Sequence, residues 1–159
     1  MIQRIQTLYL LLVVILFAVL FFLPLAFVQT IGGTTCALNV CTLQVLTEPV
    51  KTISVNWLLS ILGTAIFLLS IFTIFLYEKR NVQKWLCILN MLLMLAFIFY
   101  AGYNIVHVDM LALPKLEVNN VAHPTVWALI PVIAFILNLL AIRRIAADEK
   151  LIRSLDRIR

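Results

Sequence analysis

The stretch Ala134–Arg159, AFILNLLAIRRIAADEKLIRSLDRIR, decides how this chain sits. Its first nine residues form an apolar run with one polar residue, Asn138, and the run stops at Arg143-Arg144. The last seventeen residues hold six of the chain's twelve basic residues. An apolar run closed by a basic cluster reads as a membrane span leaving the bilayer on its cytoplasmic side. No Gly or Pro follows Pro131, so the span is expected to continue as one helix past the membrane.

Working outward, the same signal recurs three times. No Asp, Glu, Lys or Arg lies between Arg4 and Glu48, between Lys51 and Glu78, between Lys84 and Asp109, or between Glu117 and Arg143. Each gap has room for the roughly 20 apolar residues that cross a bilayer. With 64% apolar and 12% charged residues and a mean hydropathy of +1.12, the chain is no soluble globular domain, where charged residues make up about 25%. The net charge of +5 sits beside apolar runs and marks topology and anionic-lipid contact, not nucleic-acid binding.

The expected spans are 8–28, 55–77, 85–106 and 125–142. The first is longer than the roughly 7–15 residues of a signal-peptide core and lacks a small-residue cleavage site, so it reads as a retained span. The turn 78–84 makes the second and third spans antiparallel neighbours. Segments 29–54 and 107–124 are external loops: the first carries Gly32-Gly33 and the material of a short hairpin, and the second, with Pro114 and Pro124, reads as loop. Lys and Arg number ten in the N-terminus, the 78–84 turn and the 143–159 tail, against two (Lys51, Lys115) in the loops. Both termini are therefore expected in the cytoplasm. Tyr9, Tyr77 and Trp85 fall at the inner interface, and Trp57, Tyr103 and Trp127 at the outer one, where amphipathic rings prefer to sit. The expected fold is all-α: a single membrane domain, an integral four-helix transmembrane bundle, N-in and C-in, with an amphipathic cytoplasmic extension of helix 4.

Three stretches carry a family likeness: Met1–Leu12 (MIQRIQTLYLLL), Leu86–Asn90 (LCILN) and Asp148–Arg159 (DEKLIRSLDRIR). They resemble domain of unknown function 4293, a family of small four-span bacterial inner-membrane proteins. The resemblance implies a compartment and an architecture, and transfers no catalytic residue.

Candidate chemistry is sparse. Cys36 and Cys41 share the first external loop, and in an oxidising periplasm they are candidates for a disulfide. Four intervening residues depart from the two-residue spacing of thiol oxidoreductases, so a structural staple is favoured over a redox centre. Cys87, at the cytoplasmic start of span three, reads as a packing residue. His107, Asp109, Glu117 and His123 match no metal-ligand spacing and read as solvated loop residues. No cofactor site is expected.

Within the spans no ionisable Asp, Glu, Lys, Arg or His occurs, which argues against a carrier or pump. Three polar residues stand out instead. Asn90 lies just inside Trp85 and Asn138 just inside Arg143, both about 7–8 Å within the cytoplasmic interface at 1.5 Å per residue, and Thr73, four residues before Tyr77, has nearly the same depth. They are expected to form an interhelical polar layer that clasps the bundle. Small residues Ser60, Gly63, Thr64, Ala96 and Gly102 could admit close helix approach, without a strict GxxxG. In the tail, Leu151, Ile152, Leu155 and Ile158 form an apolar stripe opposite Glu149, Lys150, Arg153, Asp156 and Arg157. That stripe (residues 148–159) would meet membrane lipid, dock on the bundle or bind a protein partner. The favoured function is a non-enzymatic accessory or scaffold subunit. The alternatives are a periplasmic thiol–disulfide oxidoreductase using Cys36 and Cys41, and a small transporter or channel.

Overall fold

The computed structural model describes residues 3–30, 35–46, 51–76, 80–107 and 118–156. Four helices dominate the described residues: α1 (Gln3–Leu20), α2 (Trp57–Phe75), α3 (Arg80–Val106) and α4 (Ile130–Asp156), the last entered through a 3-10 turn at Val126–Leu129. Between them lie β1 (Ala26–Thr30), β2 (Thr35–Leu38), β3 (Thr42–Val45), β4 (Lys51–Val55) and β5 (Val118–Pro124). The all-α expectation is therefore corrected. Three segments, Trp57–Phe75, Val82–Val106 and Val126–Ala147, are long and apolar enough to cross a membrane, while the apolar part of α1, Thr7–Leu20, is shorter.

Proline 24 explains why the first helix is shorter than its apolar run. In a continued helix its ring would meet the carbonyl of residue 20, and Leu23 before it is pushed away from the α region. The helix ends at Leu20, and the chain turns through Phe21–Pro24 into β1. Residues 26–28, expected inside the first span, are instead the first strand of a sheet.

That sheet has the order β4-β3-β2-β1-β5, with every neighbouring pair antiparallel. Segment 29–54 thus supplies a meander in place of a single hairpin. Thr42, Val45, Thr52 and Val55 are β-branched residues suited to a pleated surface, and the chain reverses between β2 and β3 where the Asn39 N–H donates to the Thr42 carbonyl at 2.9 Å. The second loop is corrected as well: its end, 118–124, pairs with β1, setting Phe27 opposite His123. The two long connections therefore meet in one sheet. Its edges are poor templates for further pairing, since β4 begins with Lys51, β5 ends with Pro124, and register shifts interrupt both outer ladders.

The helices pack in a ring, α1 on α2, α2 on α3, α3 on α4 and α4 on α1. Their buried positions step by three and four residues. On α3 these are Gln83, Cys87, Asn90, Met94, Phe97, Ala101 and Asn104; on α2 they are Leu59, Gly63, Ile66, Ser70 and Thr73. A mean step of 3.5 keeps one narrow seam facing the partners, the packing of helices crossing at about 20°. Phe17 and Phe97 fill the centre edge-to-face, 5.7 Å between ring centroids. The sheet joins the same core through Leu25 and Val40, and it covers its own cluster of Ala26, Val28, Cys36, Leu38 and Leu43 against Ile105 of α3.

The outward faces are as apolar as the core: Ile61, Phe72, Phe75, Leu92 and Phe99 are all exposed. A helix hydrophobic on all sides belongs in lipid or a protein interior. Trp57, Trp85, Tyr103 and Trp127 are also exposed, at the ends of these helices. Tyr77 lies outside the described residues.

Candidate functional site

The seams carry buried polar residues, and these make the most chemically distinctive place in the molecule. Thr73, Asn90 and Asn138 are all fully buried. Each sits on the inward seam of its helix because the three-and-four spacing that buries Ile66, Met94 and Ala134 also lands on them. Their partners differ from a simple three-residue clasp. Asn90 donates through Nδ2 to Ser70 Oγ on α2 at 2.9 Å, and Ser70 donates in turn to the Ile66 carbonyl at 2.8 Å. Thr73 bonds within its own helix, giving its hydroxyl hydrogen to the Leu69 carbonyl at 2.6 Å. Its backbone carbonyl accepts from Gln83 Nε2 of α3 at 3.4 Å. Asn138 reaches from α4 to the Cys87 carbonyl at 3.2 Å, with Met94 Sδ at 3.9 Å from the same nitrogen.

Sequence reasoning missed Ser70 and Gln83. Ser70 had a legible signal, because it stands three residues before Thr73 on the same helical face. Gln83 had none, since the basic turn Glu78–Lys84 read as loop while α3 begins already at Arg80.

Both asparagines donate through Nδ2 and keep bare acceptors. Asn90 Oδ1 and Asn138 Oδ1 are buried without a hydrogen-bond partner. A bare buried acceptor costs about 1–3 kcal/mol, and immobilising a water that satisfies it costs about 0–2 kcal/mol. The Cys87 carbonyl can only accept, so the Asn138 amide meets it with its nitrogen; the Asn90 orientation follows from Ser70 giving its hydrogen to the Ile66 carbonyl. Among the described residues the layer is built of amides, hydroxyls and carbonyls without a charged group, and its bare acceptors can hold a neutral hydrogen-bond donor.

The cysteines fare differently. The disulfide expected of Cys36 and Cys41 is not formed; both are free thiols. The β2–β3 reversal sets Cys36 opposite Val45, inside the sheet's own cluster. Cys41 packs against the helix core instead, its Sγ 3.5 Å from Ser60 Oγ. Cys87 is buried with Leu10, Ala141 and Ile145, the packing role expected of it. Among the described residues no group of three or more His, Cys, Asp or Glu could hold a metal ion. His107 stacks against Tyr103 at 4.6 Å between centroids, His123 lies in β5, and Asp109 and Glu117 are outside the described residues.

Of the small residues, Gly63 is buried against Phe21, Val40 and Phe97, while a Cβ added at Gly102 would meet nothing within 4 Å. Thr64 and Ala96 face outward. The tail stripe lies on α4, which stays helical through Leu151, Ile152 and Leu155 to Asp156; Ile158 is outside the described residues.

A family model described as Domain of unknown function (DUF4293) matches residues 2–158. The chain belongs to the DUF4293 family. The match spans all four helices and the whole sheet, including the N-terminal, Leu86–Asn90 and C-terminal stretches that carried the resemblance. No curated protein matches this DUF4293 chain significantly.

Proposed function

We infer that this is a four-span protein of the bacterial inner membrane, with both termini in the cytoplasm, and that it serves as a non-enzymatic accessory subunit presenting a cytoplasmic helix. The topology rests on the ten-to-two distribution of Lys and Arg. On this reading α1 crosses with the help of Phe21–Leu25, and the sheet caps the periplasmic end.

The observation that carries the functional reading is the overhang of α4. Asn138 meets α3 between Cys87 and Met94, which fixes the register of the two antiparallel helices. Followed toward the cytoplasm from that layer, α3 runs out at Arg80, level with Asp148 of α4. The start of α1 at Gln3 lies within about one turn of that level, because Leu10 packs with Ala141 and Ile145. From Leu151 to Asp156 no described helix accompanies α4, a length of about 9 Å at 1.5 Å per residue. In the sequence, the three-and-four spacing of the buried Ala134, Asn138, Ala141 and Ile145 continues onto Ile152 and Leu155. α4 is one helix from Ile130 to Asp156, so its last turns continue the helix that packs in the bundle. That favours a protein partner over lipid for the stripe.

The test is co-purification in mild detergent from the native host, comparing the full chain with one cut before Asp148. A specific partner retained by the full chain and lost on truncation supports the reading. The same set of proteins with both chains, or none with either, overturns it.

A further inference from the structure

We propose that the polar layer between α2, α3 and α4 is a binding site for one internal water, shared between Asn90 Oδ1 and Asn138 Oδ1. The two carboxamides meet at one level. Asn138 Nδ2 lies between Cys87 and Met94, the residues one turn either side of Asn90 on the same face of α3. Asn90 turns its nitrogen toward Ser70 on the other flank, so each amide is anchored by its donor to a different neighbour. What each leaves over is an acceptor, and both are enclosed.

The chemistry selects the occupant. Two acceptors call for a species with two donors, neutral and small, and a water supplies both hydrogens at once. A cation fits poorly: the described parts of the spans hold no Asp or Glu to balance it, and two free oxygens are few for an ion stripped of its hydration. In lipid there is no bulk solvent to satisfy a bare oxygen, so the site makes the layer complete where it otherwise opposes packing. This inference is independent of the tail and of any partner.

Solid-state NMR on isotope-labelled full-length protein in phosphatidylglycerol–phosphatidylethanolamine bilayers tests it, by magnetisation transfer from water to side chains. Transfer to the side-chain amides of Asn90 and Asn138 is expected to exceed that to Ile66, an equally buried apolar neighbour. Transfer as slow as at Ile66 for both overturns the site. Movement of the two carboxamide carbon signals when sodium or potassium replaces choline overturns water in favour of a cation. In Asn138→Leu, transfer to Asn90 is expected to fall to the Ile66 level, and unchanged transfer overturns a shared water. Should that variant not fold, Asn90→Leu read at Asn138 gives the reciprocal result, and the wild-type comparison still decides.

Discussion

Asn90 of α3 gives its amide hydrogen to Ser70 of α2, and Ser70 gives its own to the Ile66 carbonyl one turn back. The pair therefore works in one direction only. Ser70 is already satisfied by its own helix, whereas Asn90 depends on Ser70.

That asymmetry predicts non-additive energetics. Ser70→Ala leaves the Asn90 donor bare in a buried site and is expected to lose about 1–3 kcal/mol. Adding Asn90→Leu removes the orphaned amide, so the double variant is expected to be more stable than Ser70→Ala alone. Reversible unfolding in mixed detergent micelles measures both. Strictly additive losses would show that the two side chains do not act as a unit.

Asn138 clasps α4 to α3 through the Cys87 backbone, a partner that side-chain substitution cannot remove. Asn138→Leu is expected to cost about 0.6–2 kcal/mol, the range of interhelical hydrogen bonds in membranes. Its thermal unfolding in detergent should begin at lower temperature than the wild type. Full retention of thermal stability would refute the clasp.

The two helical glycines are expected to part company. A Cβ at Gly63 would stand 3.3 Å from both Phe21 Cζ and Val40 Cγ1, so Gly63→Leu overpacks the junction of helices and sheet. The expected loss is about 1–3 kcal/mol. Gly102→Ala meets open space and is expected to gain up to about 1 kcal/mol from helix propensity. The same unfolding assay ranks them, and equal effects would contradict the packing described.

Free thiols at Cys36 and Cys41 predict the outcome of a simple titration. Protein purified without reductant and unfolded in dodecyl sulfate is expected to react with a thiol reagent at all three cysteines, Cys87 included. A yield of one thiol per chain, rising to three only after reduction, would establish the disulfide that the fold places in separate clusters. It would also restore the oxidoreductase reading.

Much of this protein is legible in its residues alone. Charge-free gaps and basic flanks mark the hydrophobic segments and an orientation, because the bilayer imposes its rules locally, along each segment in turn. Asn90 and Asn138 stand out for the same reason: an amide in an apolar run needs an explanation that requires no knowledge of its neighbours. What the bilayer does not dictate escapes such a reading. The residues before β1 are apolar enough to continue a span, and Pro24 ends α1 by a steric conflict with Leu20 that hydropathy does not register.

The sequence by itself determined where the apolar segments lie and that Thr73, Asn90 and Asn138 among their polar residues face inward. Only the tertiary structure decided the pairings. Strand β5 joins β1 from a segment nearly a hundred residues away, so the two long connections meet in one sheet. Ser70, not Thr73, receives Asn90, because seam register chooses among hydroxyls that lie one turn apart. Among the described residues α4 runs on past the starts of α1 and α3, because the level at which neighbouring helices end is a property of their packing. Local patterns follow from the solvent around each segment; partners follow from distance in the folded chain.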